Sequence, residues 1–466
     1  MLRLPVIKVK LESQWKPRLA QDEGLVHERL VIALTQDILS GEIPCGARLP
    51  PHRDVASELG ISVGTVTRAY ATLQRQGLVK SEKGRGMFVA TQIQRSEARL
   101  DLSVNMPPPI VTGRMLTEAI NRLAVTIDTD FFTRYMSPGG LPEHRLMIAR
   151  MVNANQGLQV EPTQVIMTNG AQQALFLAMS ALPDGPLAIE SLSFPGALRA
   201  ARQLRRPLVS LPMDSEGILP DALEAALAGK QPPKLLYVVP TIQNPTGAVM
   251  GVRRRKAIAE IAMRHDLLVI EDDVYSVFAP EPMPPIAKFA PDHVLYASGF
   301  SKCLAPGLRV GYLVVPERFG EQAINWLMAT QTMATPVSGL LLAHWMADGL
   351  VDSIARSIRA EARTRNKMVR ELLAPWLGQG AIGDSLHAWL PMPTDRAREV
   401  VSVAAQAGIV LSPPDVFMSE PGVVDSGIRI CLGAVQESQQ LHEALLRLKD
   451  ILQGGVMGTL GQSCII

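Results

Sequence analysis

A small α+β domain followed by a large α/β domain on a mainly parallel sheet is the architecture this chain predicts. Three observations predict it. At 466 residues the chain is too long for one hydrophobic core, and 47% apolar composition is enough to fill two or three. Its grammar changes near residue 105, after the tripeptide Pro107-Pro108-Pro109 comes into range. Before that point short helical patterns lead into a glycine-bearing hairpin, and after it apolar strand-like runs alternate with helical stretches.

The formal charge is +2 overall but uneven: residues 1–90 carry 13 basic against 9 acidic side chains, the remainder 33 against 35. A mildly basic front end fits a nucleic-acid partner. Cys45, Cys303, Cys431 and Cys464 lie far apart without a Cys-x-x-Cys pair, which excludes a zinc ribbon and argues for a reducing, cytoplasmic setting. Met1–Lys10 alternates apolar and basic residues without the apolar core of a signal peptide, and no uncharged apolar run approaches the ~20 residues of a membrane span.

Residues 1–23 read as an irregular lead-in. Leu25–Leu39 has helical periodicity and stops at Ser40-Gly41. His52–Leu59 is a short helix ended by Gly60, and Ser62 caps a further helix over Val63–Gln76, ended by Gly77. Leu78–Ala90 reads as a hairpin around Lys83-Gly84-Arg85-Gly86. Helix, turn, helix and hairpin in this order are the parts of a winged helix-turn-helix, here placed at residues 20–90. Its last helix enters the DNA major groove while phosphate contacts fix its register. Ser62, Thr65, Thr67 and Arg68 sit on that helix, Arg53 opens the preceding one, and Lys83, Gly84 and Arg85 form the hairpin tip. The stretch Arg48–Tyr70, with Leu-Gln-Arg-Gln-Gly-Leu-Val-Lys after it and Gly84-Arg85-Gly86-Met-Phe-Val, resembles the GntR-family winged helix over about residues 25–90. Val63 stands where family members often carry Arg.

Residues 91–104 read as a polar linker. Beyond it, strands are expected at Val165–Thr168, Leu187–Ile189, Leu235–Val239, Leu267–Ile270, Val294–Ala297 and Val310–Val315. One long helix is expected over Val351–Trp376, leading to a small α/β subdomain at 377–453. Chemistry-bearing residues follow several of these strands. Gly170-Ala171-Gln172 opens a helix, Phe194 lies in Ser-Phe-Pro-Gly, and Asn244 lies in Gln-Asn-Pro-Thr-Gly. Asp272 and Tyr275 follow, and then Ser301-Lys302 and Arg309. Together they answer the needs of pyridoxal 5'-phosphate: an amine to hold its aldehyde, a carboxylate for its ring nitrogen, anion donors at a helix N-terminus, and a flat plate for the ring.

In that order the set resembles the fold-type-I aminotransferases along essentially the whole of residues 105–450, within a domain placed at 105–453. The resemblance implies Lys302 as the Schiff-base lysine, Asp272 as partner of the pyridine nitrogen, and Asn244 and Tyr275 as ligands of the ring hydroxyl. It implies Gly170, Ala171, Gln172, Ser301 and Arg309 as the phosphate cup, and Phe194 as the ring plate. Arg429 is implied as the fork for a substrate or effector carboxylate, and Tyr135 as a tyrosine that reaches the neighbouring subunit's phosphate in a homodimer. Ala171 and Gly299 stand where relatives often have Ser or Thr, which predicts a weaker cup. No metal site is expected. Both resemblances together are those of the MocR-type branch of the GntR regulators. They imply a transcription regulator whose aminotransferase-like domain dimerises and senses the cofactor or an amino compound. The alternative is an active aminotransferase with an appended DNA-binding domain.

Overall fold

The computed structural model describes residues 15–20, 25–39, 42–44, 46–75, 78–82, 86–89, 100–279, 281–378, 384–422 and 425–454. The chain divides into two compact units, with the boundary after residue 98.

The first unit holds α1 (Val26–Leu39), α2 (His52–Leu59), α3 (Val63–Arg75) and an antiparallel hairpin of β1 (Val79–Glu82) and β2 (Gly86–Val89). Apolar side chains at helical spacing make its core: Leu30, Leu34 and Ile38 from α1, and Val66, Ala69, Tyr70 and Leu73 from α3, closed by Val79 and Val89. Gly60 ends α2 at φ 64, its N–H donating to the Ala56 carbonyl, a left-handed cap that suits glycine. Two residues on, the Ser62 hydroxyl accepts from the Thr65 N–H at 3.1 Å and starts α3. The expected lead-in is not wholly outside this unit. Trp15 is buried in the same core and donates through Nε1 to Asp37 at 2.7 Å.

The second unit opens with β3 (Leu100–Asp101). Its central sheet contains β4 (Val165–Thr168), β5 (Leu187–Glu190) and β6 (Leu208–Leu211). A small hairpin of β7 (Met213–Asp214) and β8 (Gly217–Ile218) precedes β9 (Leu235–Val238), β10 (Leu268–Asp272), β11 (Val294–Gly299) and β12 (Gly311–Val314). The strand order is β4-β12-β11-β10-β9-β5-β6. Every neighbouring pair is parallel except those made by β12, which runs antiparallel to both β11 and β4. The sheet is mainly parallel, as expected, with β12 making it a mixed one. Both faces are covered, and β4, β5, β9, β10 and β11 are buried along their whole length, as their unbroken apolar runs require. The edge strand β6 carries no such signal: it is half-buried and bracketed by Pro207 and Pro212.

The long helix runs over Leu350–Leu373, followed by a short 3₁₀ turn. It leads to β13 (His387–Pro393), β14 (Ile409–Val410) and β15 (Asp425–Cys431). β13 and β15 pair antiparallel, and helices Thr394–Gln406 and Ser438–Leu452 pack against them. Residues 100–104, expected in the linker, belong here: β3 pairs in parallel with β14, and Leu100 and Leu102 are buried in the core of this second layer. Apolar Leu100 and Leu102 two residues apart place one strand face in that core.

Candidate functional site: a cofactor cavity at the strand ends

Parallel strands deliver their carboxyl ends to one edge of the sheet, where ligands of open α/β folds bind. A cavity at that edge is lined by Ala171, Gln172, Phe194, Asn244, Asp272, Tyr275, Ser301, Lys302 and Arg309. A cleft sharing Phe194, Asn244 and Lys302 continues to Arg429. Residues up to 258 positions apart thus meet in one place.

Asp272 ends β10 and is 3% exposed. Tyr237 donates to its Oδ2 at 2.8 Å, while Oδ1 is buried with no hydrogen-bond partner. Burial raises its pKa to about 6, and the Tyr237 hydrogen bond and Lys302 charge oppose a larger rise. Lys302 follows β11. Burial lowers its pKa to about 8, with Arg429 adding to the effect. Its Nζ donates to the Asn105 carbonyl and lies 5.9 Å from the Tyr275 ring centroid.

Arg429, on β15, donates to Asn244 Oδ1 at 2.8 Å and to the Ser103 carbonyl at 2.7 Å, and its Nε is buried without a partner. Tyr275 is buried, and burial pushes its hydroxyl pKa up, so it enters the site as a neutral phenol. Phe194 caps the helix Pro195–Gln203 and lies half-buried in the walls of both cavity and cleft.

The anion-binding corner forms where Gly170 caps the helix Ala171–Ala181. Its φ is 86, and a Cβ there would lie 2.3 Å from Arg309 Nη2, so only glycine lets the guanidinium close over the helix start. Arg309 Nη2 donates to the Asn169 carbonyl at 3.1 Å, and Nη1 reaches Ser301 Oγ at 3.4 Å. Gly170→Ala is expected to expel that guanidinium and cost about 1–3 kcal/mol for a positive-φ extended backbone that only glycine adopts freely, read as a lower urea midpoint.

The Gln172 side chain lines the cavity and is also engaged beside it. Its Nε2 donates to the Gly196 carbonyl at 2.9 Å, leaving the backbone at the helix start to face an anion. Gly299 is confined by backbone, since a Cβ would lie 3.0 Å from the Val310 carbonyl oxygen. Ser298 does not replace the missing hydroxyl, because its Oγ donates to the Asp273 carbonyl at 3.1 Å. Tyr135 is 83% exposed and lies outside the walls of this cavity.

Sequence reasoning missed Asn105 and His387. Asn105 Nδ2 donates to Tyr275 Oη at 2.9 Å and lies 3.0 Å from His387 Nδ1. Burial and Arg429 lower the His387 pKa to about 3, so the ring is neutral. With Nε2 donating to the Gln243 carbonyl at 3.2 Å, Nδ1 is the acceptor. No periodicity marks either residue.

In the first unit, Arg53, Ser62, Thr67 and Arg68 are exposed and Thr65 is half-buried. All three hydroxyls are already engaged: Ser62 and Thr65 bond each other at 2.9 Å, and Thr67 donates to the Val63 carbonyl at 2.9 Å. Arg53 and Arg68 are therefore the freer exposed groups of this set. Lys83, Gly84 and Arg85 lie outside the described residues. Among the described residues no helix is long and apolar enough to cross a membrane, and no cluster of three potential metal ligands occurs.

Residues 99–448 match the family of class I and II aminotransferases, and residues 27–89 match the bacterial regulatory proteins of the gntR family. The HTH-type transcriptional regulator YdeF of Bacillus subtilis is 26% identical over 94% of this chain and 96% of its own. The HTH-type pyridoxine biosynthesis transcriptional regulator PdxR of Corynebacterium glutamicum is 27% identical over 90% of this chain and 94% of its own. Among solved structures, LysN, the α-aminoadipate aminotransferase of Thermus thermophilus, complexed with N-(5'-phosphopyridoxyl)-L-leucine, superposes with a TM-score of 0.69. It is 22% identical and covers 82% of this chain and 97% of its own. The likeness fixes the fold of the second unit. With a gntR-type helix-turn-helix joined to a class I and II aminotransferase domain, the chain belongs to the MocR-type branch of the GntR transcription regulators.

Proposed function

We propose that this regulator binds promoter DNA through its first unit and holds pyridoxal 5'-phosphate at Lys302 in its second. The occupied site, alone or with a carboxylate-bearing amino compound, sets the affinity for DNA. The observation that carries the reading is the cluster of orphaned polar atoms. Asp272 Oδ1, Arg429 Nε and Asn105 Oδ1 are buried without partners around one cavity and its cleft. Buried polar atoms left unpaired are costly, and three beside one cavity fit groups that a ligand satisfies.

The residues present fit the cofactor. Asp272 Oδ1 would accept from a protonated ring nitrogen, the Gly170–Gln172 helix start with Ser301 and Arg309 would hold the phosphate, and Phe194 would flank the ring. When bound, the cofactor supplies an aldehyde for amines and an electron-withdrawing ring. Lys302 offers the nucleophile for that aldehyde. With a pKa of about 8, roughly 10% of its amine is neutral at pH 7. Asp272, ionised above about pH 6, holds the ring-nitrogen proton. Arg429 turns its guanidinium toward a carboxylate in the cleft.

The assembly proposed is a homodimer in which Tyr135 reaches the partner's phosphate. Its exposure, and that of Leu116, Ile120 and Val125 on the nearby helix Gly113–Thr126, suits a covered face. On the DNA side Arg68→Ala is expected to weaken promoter binding about tenfold, the loss of one arginine contact of about 1–3 kcal/mol, measured by fluorescence anisotropy at fixed salt.

The regulatory reading is tested by the affinity for a promoter fragment with and without pyridoxal phosphate and a panel of amino acids. A ligand-dependent change is the expected result, and equal affinity under all conditions would overturn it. Steady turnover of an amino acid with an oxo acid would instead favour the enzyme reading, which the presence of Lys302, Asp272, Tyr275 and Arg429 keeps chemically open.

A further inference from the structure

The segment Leu100–Met106 threads the site just after the chain leaves the first unit. Its start is fixed by backbone bonds. The Leu100 N–H donates to the Gly408 carbonyl and the Leu102 N–H to Val410, both at 2.9 Å, while the Leu102 carbonyl accepts from the Cys431 N–H at 2.9 Å. Its end is fixed by shape: a Cβ on Gly433 would lie 1.8 Å from the Met106 carbonyl oxygen, so the two backbones are in close contact.

Between these anchors, two carbonyls of this segment occupy two of the site's cations. Ser103 accepts from Arg429 at 2.7 Å, and Asn105 accepts from Lys302. The Asn105 amide meanwhile bridges Tyr275 and His387, and its Oδ1 has no partner.

Lys302 and Arg429 are the groups assigned above to an aldehyde and a carboxylate. A ligand that engages either nitrogen competes with a carbonyl of this one segment. Asn105 is the more exposed to that competition, because the same residue also holds the phenol and the imidazole of the cavity wall.

We propose that Asn105 is the residue through which the site reads its occupant. Its contacts add to those anchors in holding Leu100–Met106 in place when Lys302 is free. Engagement of Lys302 releases the carbonyl bond and loosens this segment, which leads back along the chain to the DNA-binding unit. The proposal rests on the reading of Lys302 as the cofactor lysine. It requires no contact between the two units, only the continuity of the chain. Ligand binding can shift an equilibrium only through contacts that differ between the states, and the Lys302–Asn105 bond is such a contact.

Hydrogen exchange of the wild-type protein, free and loaded with pyridoxal phosphate, tests it, with occupancy followed by visible absorption. The Leu100 and Leu102 amides are expected to exchange at least about threefold faster when loaded. In Asn105→Ala, which keeps the carbonyl that accepts from Lys302 but loses the amide that holds Tyr275 and His387, they are expected to exchange faster than in wild type already in the free protein. The ratio of DNA affinities with and without ligand, about fivefold or more in wild type, should narrow in that variant, which keeps only the carbonyl bond to Lys302.

Unchanged exchange in a wild-type protein that shows the absorption band would overturn the proposal while leaving the cofactor reading intact. An Asn105→Ala protein that keeps the wild-type ratio would also overturn it. Absence of the band in wild type would remove the reading beneath it, and the proposal with it. Because the wild-type exchange experiment needs no variant, a misfolded Asn105→Ala protein does not rescue the idea.

Discussion

Asp272→Asn is expected to weaken pyridoxal phosphate binding about ten- to a hundredfold at pH 7.5, the loss of one charge-assisted hydrogen bond of about 1.5–3 kcal/mol. The substitution keeps an oxygen for the Tyr237 hydroxyl, which donates to Asp272 Oδ2 at 2.8 Å, so the fold has little reason to change. It removes the negative charge that would hold a proton on the ring nitrogen. The pH dependence separates this role from a structural one. Burial raises the Asp272 pKa to about 6, so the carboxylate is charged above that pH and protonated below it. The difference between wild type and variant should therefore be largest near pH 7–8 and shrink as pH falls through about 6. Titration by visible absorption across that range reads both affinities. A difference that does not narrow on acidification would contradict the assignment.

Arg255→Met is expected to cost about 3–5 kcal/mol of stability, the penalty for leaving one member of a buried ion pair alone. Arg255 and Glu271 are both fully buried, with Nη1 and Oε1 3.9 Å apart. The guanidinium also donates to the Met250 carbonyl at 2.8 Å, the Pro240 carbonyl at 2.9 Å and Thr241 Oγ1 at 3.0 Å. It thereby ties the turn that carries Asn244 to the strand that carries Asp272. Glu271 accepts from the Ile286 and Ala287 N–H groups.

Burial and the neighbouring Asp273 raise the Glu271 pKa to about 7, and Arg255 opposes the rise. A carboxyl whose folded pKa lies above its unfolded value gives stability that is complete below the unfolded pKa and is lost as pH rises through the folded one. Without Arg255 the folded pKa moves further up and the loss extends beyond pH 7. Urea denaturation should show a larger deficit at pH 8 than at pH 5, and a second substitution, Glu271→Gln, should recover part of it. A deficit independent of pH would mean that lost hydrogen bonds to the turn, and not the unpaired carboxylate, dominate.

What was legible in the sequence follows from where the chemistry sits. Asp272, Lys302 and the Gly170 corner each follow an apolar run at the end of a buried strand, so periodicity located them and residue type suggested their work. The helix boundaries at Gly60 and Ser62 were legible because the turn chemistry is local. The linker estimate failed at Leu100–Val104 for the opposite reason: those residues are ordered by β14 and β15, more than 300 positions away. Asn105 and His387 were invisible on the same ground, since their partners lie 170 and 282 residues from Asn105. Trp15 looked like one aromatic in an irregular stretch, and only Asp37 and the α1 core explain it. The second engagement of Gln172 was not legible either, because a side chain beside a helix start can turn to a near acceptor, here the Gly196 carbonyl.

The central claim is that the aminotransferase-type unit of this regulator holds pyridoxal phosphate through Lys302. Visible absorption of the purified protein mixed with pyridoxal phosphate, beside Lys302→Ala, tests it most directly. The expected result is a bound-cofactor band in wild type that is absent from the variant and altered by a few amino compounds. The same band in both proteins, or none in either, would contradict it.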